Sequence, residues 1–328
     1  LDPPNALKSS PVFQFARHPA DCDGVDFLDP NAKETWPNFF IVGAPKAGTT
    51  SLYAYLAQHP EVFMPAVKEP QYFAQIRPSA EFEHLVEAIP DRRHYLRLYR
   101  KARGYAAIGD ASPSYLWHPE VPGRIKRTVP EARIIIVLRD PVERAHSHYL
   151  ADFREGAESL PFDAALGNDL ARSRKGLGVS HMYVEFGQYA CQVTRYLEVF
   201  GPERVHLLLF DDLRSSARNA LAGICRFLGL DATPAARIDT ARVHNGFAAP
   251  RWEWTRRLAG RRWARHLGHS LVPRSIGAFI FDRVFNRPAA KPEIDRRAKD
   301  LMLPIYEPDI RRLEALLGRA FPELRQSW

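Results

Sequence analysis

The stretch Phe39-Phe40-Ile41-Val42-Gly43-Ala44-Pro45-Lys46-Ala47-Gly48-Thr49-Thr50-Ser51 decides the fold. Four apolar residues make a short buried strand, and Gly43 ends it. From Thr49 to about His59 the spacing turns helical, with Leu52, Tyr55 and Leu56 on one face; Pro60 stops it. A strand thus passes through a glycine-bounded turn into a helix. Glycine lets the backbone curl until several N–H groups face one point. The new helix adds its unpaired N–H groups and the positive end of its dipole. Thr49, Thr50 and Ser51 add hydroxyl donors. An anion is expected in this turn.

Outward from it, strands and helices alternate. A strand is expected at Tyr105 to Ile108 and a helix at Val121 to Thr128. Ile134 to Leu138 is apolar throughout, as a central parallel strand is. Arg139-Asp140-Pro141-Val142-Glu143 follows. Asp140 fits an N-cap, Pro141 the first helical position and Glu143 a capping box, so a helix runs on to about Phe153. Further helices are expected at Tyr183 to Phe200, Leu213 to Leu228 and Glu293 to Leu317, the last broken near Pro304 and Pro308. A strand is expected at Arg204 to Phe210. This alternation predicts an α/β fold: a P-loop-like parallel β-sheet flanked by helices on both faces, in a single domain with a helical C-terminal region. Residues 1–37, rich in Pro, Asp and Asn without a period, form an irregular arm; residues 38–328 form the domain. Ligands of such sheets sit beyond the carboxyl ends of the strands, so the two strand-to-helix junctions point at one crevice.

Composition bounds the function. The 328 residues are 45% hydrophobic and 26% charged, which excludes a disordered chain, a collagen-like chain and a coiled coil. The 27 prolines exceed the 19 glycines, so long ordered loops are expected. No run approaches the roughly 18 apolar residues of a membrane span, and no leader pattern is visible. Lys and Arg number 46 against 38 Asp and Glu, a net charge of +8. That favours anionic partners without choosing among phosphates, sulfates, nucleic acid and acidic lipid. Cys22, Cys191 and Cys225 are scattered and lack zinc or disulfide spacing. A reducing cytoplasm is the expectation.

Gly43-x4-Gly48 has the glycine spacing of a P-loop, but Thr49 stands where a Walker lysine belongs, and the lysine lies inside the loop at Lys46. No strand ends in a plain Asp suited to magnesium, so a metal-dependent NTPase is disfavoured and no metal is expected. The bland alternative is a glycine-rich turn carrying a solvated lysine.

Pro45-Lys46-Ala47-Gly48-Thr49-Thr50-Ser51-Leu52 resembles the 5′-phosphosulfate loop of sulfotransferases, and Arg139-Asp140-Pro141-Val142-Glu143-Arg144-Ala145-His146-Ser147-His148-Tyr149 resembles their 3′-phosphate block. Lys68-Glu69-Pro70-Gln71-Tyr72-Phe73 is similar to the Lys-Glu-x-x-x-Phe segment of heparan-type glycan O-sulfotransferases. Val243-His244-Asn245-Gly246-Phe247 is similar to the late loop over the nucleotide, and Asp309 to Gly318 to the last helix. The resemblance covers about Asn38 to Arg251 and Pro292 to Trp328. It implies an enzyme that takes 3′-phosphoadenosine 5′-phosphosulfate (PAPS), releases adenosine 3′,5′-bisphosphate and needs no metal. The donor would be held by Lys46, Ala47, Gly48, Thr49, Thr50, Ser51, Arg139, Ser147, Asn245, Gly246 and Phe247. Lys46 would neutralise charge on the bridging oxygen. Glu69 would be the base, set outside helical geometry by Pro70. Rival bases are Asp110, His118 and His148. Lys68, Glu69, Tyr72 and Phe73 would meet a small-molecule or glycan acceptor. Heparan-type enzymes carry lysines where this chain has Ala111 and near Asn245, which disfavours a densely sulfated acceptor.

The chain also inserts about 252–291, where Trp252, Trp254 and Trp263 interleave with Arg256, Arg257, Arg261, Arg262 and Arg265 ahead of apolar Ile276 to Phe285. A lid or a docked amphipathic helix is preferred there over peripheral membrane contact through 252–285. The two competing functions are a P-loop phosphotransferase, which needs magnesium, and a nucleic-acid-binding module, which leaves both phosphate blocks unexplained. The acceptor and the oligomeric state are not encoded in any of these motifs.

Overall fold

The computed structural model describes residues 34–75, 88–172, 181–241, 248–250 and 286–328. Five parallel strands form one sheet: β1 (Phe39–Gly43), β2 (Val62–Phe63), β3 (Ala107–Ala111), β4 (Arg133–Leu138) and β5 (Val205–Leu209), in the order β2-β3-β1-β4-β5. Every residue of β1 is buried, as its unbroken apolar run requires. Because β1 lies between β3 and β4, three strand exits stand side by side at the carboxyl edge. From β1 the chain goes out to the edge at β2, returns inward to β3, then crosses to the other side of β1 for β4. That change of direction opens the crevice of a doubly wound sheet.

Helices α1 (Thr49–Leu56), α2 (Arg92–Arg97), α3 (Val121–Thr128), α4 (Pro141–Glu155), α5 (Phe162–Ala171), α6 (Tyr189–Phe200), α7 (Phe210–Ser215), α8 (Ala217–Leu228) and α9 (Arg296–Leu317) flank the sheet. The main core joins the strands to α1, α3, α6 and α8; a smaller one joins α4, α5 and α9 around Tyr149, Phe162, Tyr183, Met302 and Tyr306.

The expected elements shift in instructive ways. The strand placed at Tyr105 to Ile108 runs two to three residues later, because Tyr105 N donates to Ala102 O in a turn. The helix expected from Tyr183 begins at Tyr189, after a 3-10 turn at Glu185–Gly187. Ser216 (φ −146°) divides the helix expected at Leu213 to Leu228 into α7 and α8. The break expected at Pro304 and Pro308 is absent: α9 runs through both. Both prolines lie on its exposed face, four residues apart, so the carbonyls they leave unbonded meet water. The opposite face, Met302, Tyr306, Ile310 and Leu313, is fully buried and keeps the helix continuous. β2, α2 and α5 were not foreseen. Two residues carry no period, and α2 is marked only by its cap, Asp91, which accepts from His94 N at 2.9 Å.

Of the irregular arm, residues 1–33 lie outside the described residues. Trp36 belongs to the body, with its ring 5.9 Å from Tyr72 and from Tyr95. Most of the insert, 252–285, also lies outside them. At its base, strands β6 (Ala248–Pro250) and β7 (Asn286–Pro288) pair antiparallel, Ala249 opposite Arg287. Among the described residues, no helix is long and apolar enough to cross a membrane.

Candidate active site

The anion turn is built by backbone. Ala44 N donates to Val137 O at 2.7 Å, tying the turn to β4, and Ala47 N closes it on Ala44 O at 3.2 Å. Lys46 (φ 65°) and Gly48 (φ 88°) are both left-handed, which curls the chain around one point. Gly48 stands at the N-cap of α1 with no side-chain cap, so the first turn of α1 presents its N–H groups to the same concavity. A Cβ at Gly48 would lie 2.8 Å from Phe210 Cδ2, and one at Gly43 would lie 2.5 Å from Leu116 Cβ. Both glycines are therefore fixed by packing, and Gly48 also by its dihedral. Ala47 and Thr49 are buried, Thr50 and Ser51 half-buried, and Lys46 is exposed at the crest.

Arg139, at the exit of β4, fastens the second block to the first. Its Nη1 donates to Lys46 O at 3.1 Å, its Nη2 to Glu143 Oε2 at 3.0 Å, and its guanidinium lies 4.6 Å over the Phe210 ring. Tyr189 OH donates to its carbonyl at 2.7 Å. Burial holds the Arg139 guanidinium below its ordinary value, and Glu143 offsets only part of that. The fork is thus held rigid before any ligand arrives.

Asp140 caps α4 as expected, accepting from Val142 N at 2.9 Å and Glu143 N at 3.1 Å. The reciprocal half of the expected capping box is not made. The Glu143 carboxylate turns outward to Arg139 and to Lys291 Nζ instead, because two cations outbid one backbone N–H. Burial pushes the Glu143 carboxyl up, but Lys291 and Arg139 together hold it below its ordinary value. Asp140 takes two further donors, Ser327 N at 2.8 Å and Ser327 Oγ at 2.9 Å. Ser147 is half-buried on α4, one turn beyond Glu143 and two beyond Arg139.

The Lys68–Phe73 segment lies at the neighbouring exit. Glu69 N donates to Ala111 O at 3.1 Å, Gln71 N to Ser112 Oγ at 3.2 Å and Phe73 N to Tyr115 OH at 3.1 Å. Ser114 Oγ donates to Gln71 Oε1. Glu69 (φ 62°) and Gln71 (φ 58°) are left-handed, so Glu69 is not in the extended backbone that Pro70 suggested. The grip of the β3 exit on three successive odd-numbered residues overrides that local preference. Lys68 pairs with Glu69, whose side chain is 40% exposed. Tyr72 stacks on Tyr95 at 4.3 Å, whereas Phe73 is buried edge-on against Phe40 at 5.5 Å.

The rival bases are placed differently. Asp110 is fully buried and accepts from Ser112 Oγ at 2.7 Å, Tyr95 OH at 2.8 Å and Tyr115 OH at 3.1 Å. Burial pushes its carboxyl up to about 6 against the pull of those hydroxyls. His148 is buried against Tyr183 and Phe186. His118 is half-buried, and burial and Arg124 hold its pKa down. Asn245, Gly246 and Phe247 lie outside the described residues. Lys291 was not among the expected site residues. It sits beyond both motifs, and a lone lysine after Pro288-Ala289-Ala290 carries no spacing signal. Among the described residues, no group of three His, Cys, Asp or Glu is placed to hold a metal ion.

A parallel sheet, a backbone-made anion turn and an arginine fork at the adjoining exit define a nucleotide-dependent group-transfer enzyme. The model of the sulfotransferase family matches residues 37–234, and the chain belongs to that family. A solved sulfotransferase from Alicyclobacillus acidocaldarius is 30% identical, covers 89% of this chain and 100% of its own, and superposes with a TM-score of 0.67. Carbohydrate sulfotransferase 15 of Mus musculus is 27% identical over 285 residues, 68% of this chain and 50% of that protein. The bifunctional heparan sulfate N-deacetylase/N-sulfotransferase 1 of Caenorhabditis briggsae is 23% identical over 218 residues, 62% of this chain and 24% of that protein. The chain spans half or less of the length of these two relatives.

Proposed function

We propose that the protein moves the sulfuryl group of PAPS to a hydroxyl of a carbohydrate, glycolipid or small natural-product acceptor. The observation that carries the reading is the Arg139 Nη1 to Lys46 O bond of 3.1 Å, which joins the two phosphate blocks into one rigid site. The α1 turn would hold the 5′-phosphate, and Arg139 with Ser147 the 3′-phosphate. The acceptor oxygen attacks sulfur, the bond from sulfur to the 5′-phosphate oxygen breaks, and adenosine 3′,5′-bisphosphate leaves. Lys46 neutralises the charge growing on that oxygen. Glu69 takes the acceptor proton; its exposure, set against the burial of Asp110 and His148, supports this role. Phe73, being buried, positions the loop, and Tyr72 is the aromatic residue left to face an acceptor. Relatives named as a carbohydrate sulfotransferase and a heparan sulfate N-sulfotransferase favour a sugar acceptor over other small molecules. The free thiols Cys191 and Cys225 favour a reducing compartment, which cell fractionation tests.

Calorimetric titration without metal is the test. Adenosine 3′,5′-bisphosphate binds more tightly than ATP, and Arg139→Ala weakens it roughly 100-fold. Lys46→Ala retains most of that affinity and loses on the order of 100-fold or more in kcat. Equal binding of ATP that requires magnesium would instead establish a phosphotransferase.

A further inference from the structure

We propose that Lys291 is a third ligand of the donor's 3′-phosphate, held in place by Glu143, which serves as the internal counter-ion of both Lys291 and Arg139. The proposal rests on the PAPS reading above.

Lys291 reaches the site from 148 positions away in sequence. Its Nζ donates to Glu143 Oε2 and, at 3.4 Å, to Glu143 O. The same Oε2 accepts from Arg139 Nη2 at 3.0 Å. Glu143 and Ser147 lie four residues apart on one face of α4, and Arg139, just ahead of the Asp140 cap, joins that stripe through its bond to Glu143. Lys291 is fastened to the middle of the stripe whose two ends are the candidate 3′-phosphate ligands. Arg139, Lys291 and Arg144 against Glu143 and Asp140 leave one net positive charge there. A terminal phosphate carries close to two negative charges and calls for more than one cation. The side chains of Arg139, Lys291 and Glu143 are 18%, 27% and 32% exposed, so all three reach solvent rather than the core.

Lys291 also follows β7, which pairs with β6, the strand that comes directly after Asn245-Gly246-Phe247. The contact therefore ties the base of the 252–285 excursion to the donor side of the enzyme.

The experiment compares adenosine 3′,5′-bisphosphate with 5′-AMP, which lacks only the 3′-phosphate, by calorimetry on the full chain. In Lys291→Gln the bisphosphate loses roughly tenfold in affinity while 5′-AMP is unchanged, and Lys291→Arg recovers most of the loss. The ratio of the two affinities is the readout that a merely structural lysine would not move. An unchanged ratio, whether both affinities fall or neither does, overturns the assignment. Lys291→Met, which keeps the apolar stem, is measured in the same way and decides the question if the glutamine variant does not fold. A wild-type protein that does not prefer the bisphosphate to 5′-AMP overturns the donor reading itself, a result distinct from failure of Lys291 alone.

Discussion

The two halves of the crevice are made by different means. On the proposed donor side, the turn at Gly43–Ser51 is shaped by its own backbone, with Gly48 at φ 88° and no side-chain cap on α1. On the proposed acceptor side, the Lys68–Phe73 loop is shaped by another segment: Ser112, Ser114 and Tyr115 reach across more than 40 positions to hold it. A backbone-made site tolerates change in neighbouring side chains but not in its glycines. A side-chain-made loop can be reshaped by altering the residues that grip it.

The sharpest way to test the contrast is pH, because the two halves carry buried groups of opposite sign. On α4, burial first and Lys291 second lower His146 from 6.5 to about 4. Between those values the unfolded chain binds a proton that the folded chain refuses, so acidification favours unfolding. On the acceptor side, Asp110 is raised from 3.8 to about 6. Between those values the folded chain holds a proton that the unfolded chain has released, so raising the pH favours unfolding. Each effect amounts to as much as about 3 kcal/mol. Melting curves should show His146→Phe gaining on wild type as pH falls from 6.5 to 4. They should show Asp110→Asn gaining on wild type as pH rises from about 4 to 6. Parallel profiles for variant and wild type would remove the titrating group from the account.

Next in size is Gly48→Ala. The left-handed backbone and the 2.8 Å approach to Phe210 together cost about 2 kcal/mol of stability, and binding of adenosine 3′,5′-bisphosphate falls with it. Unchanged affinity in this variant would mean that the turn does not hold the nucleotide. The smallest effect belongs to Tyr115→Phe, which removes the donor to Asp110 and the acceptor of Phe73 N. It should cost about 1 kcal/mol in a chemical denaturation curve and leave the bisphosphate affinity at the wild-type value. A loss of nucleotide affinity there would show that the halves are coupled.

What could be read from the sequence follows the same line. β1, α1, β4 and the start of α4 were legible because their signals are local: an apolar run, two glycines at fixed spacing, and Asp140-Pro141 at a helix start. The roles proposed for Glu69 and Tyr72 come from resemblance; the left-handed turn of Glu69 has no sequence signal, since it depends on hydrogen bonds to the β3 exit. Glu143 looked like half of a capping box because sequence spacing cannot show Lys291 arriving beside it. The prolines of α9 misled for the opposite reason. Their local cost is real, and only the exposure of the face they occupy and the burial of the other one offset it.

The Asp140 cap carries a consequence for how the molecule comes to be made. Two of its donors belong to Ser327, 187 positions downstream. A ribosome delivers the sheet, the anion turn and the Arg139 block long before it delivers Ser327. Closing a contact of that span is entropically slow compared with forming a local turn. The junction between the β4 exit and α4 is therefore finished only when residue 327 has cleared the exit tunnel, and a nascent chain stalled short of it carries the Gly43–Ser51 turn and Arg139 with the Asp140 cap still incomplete.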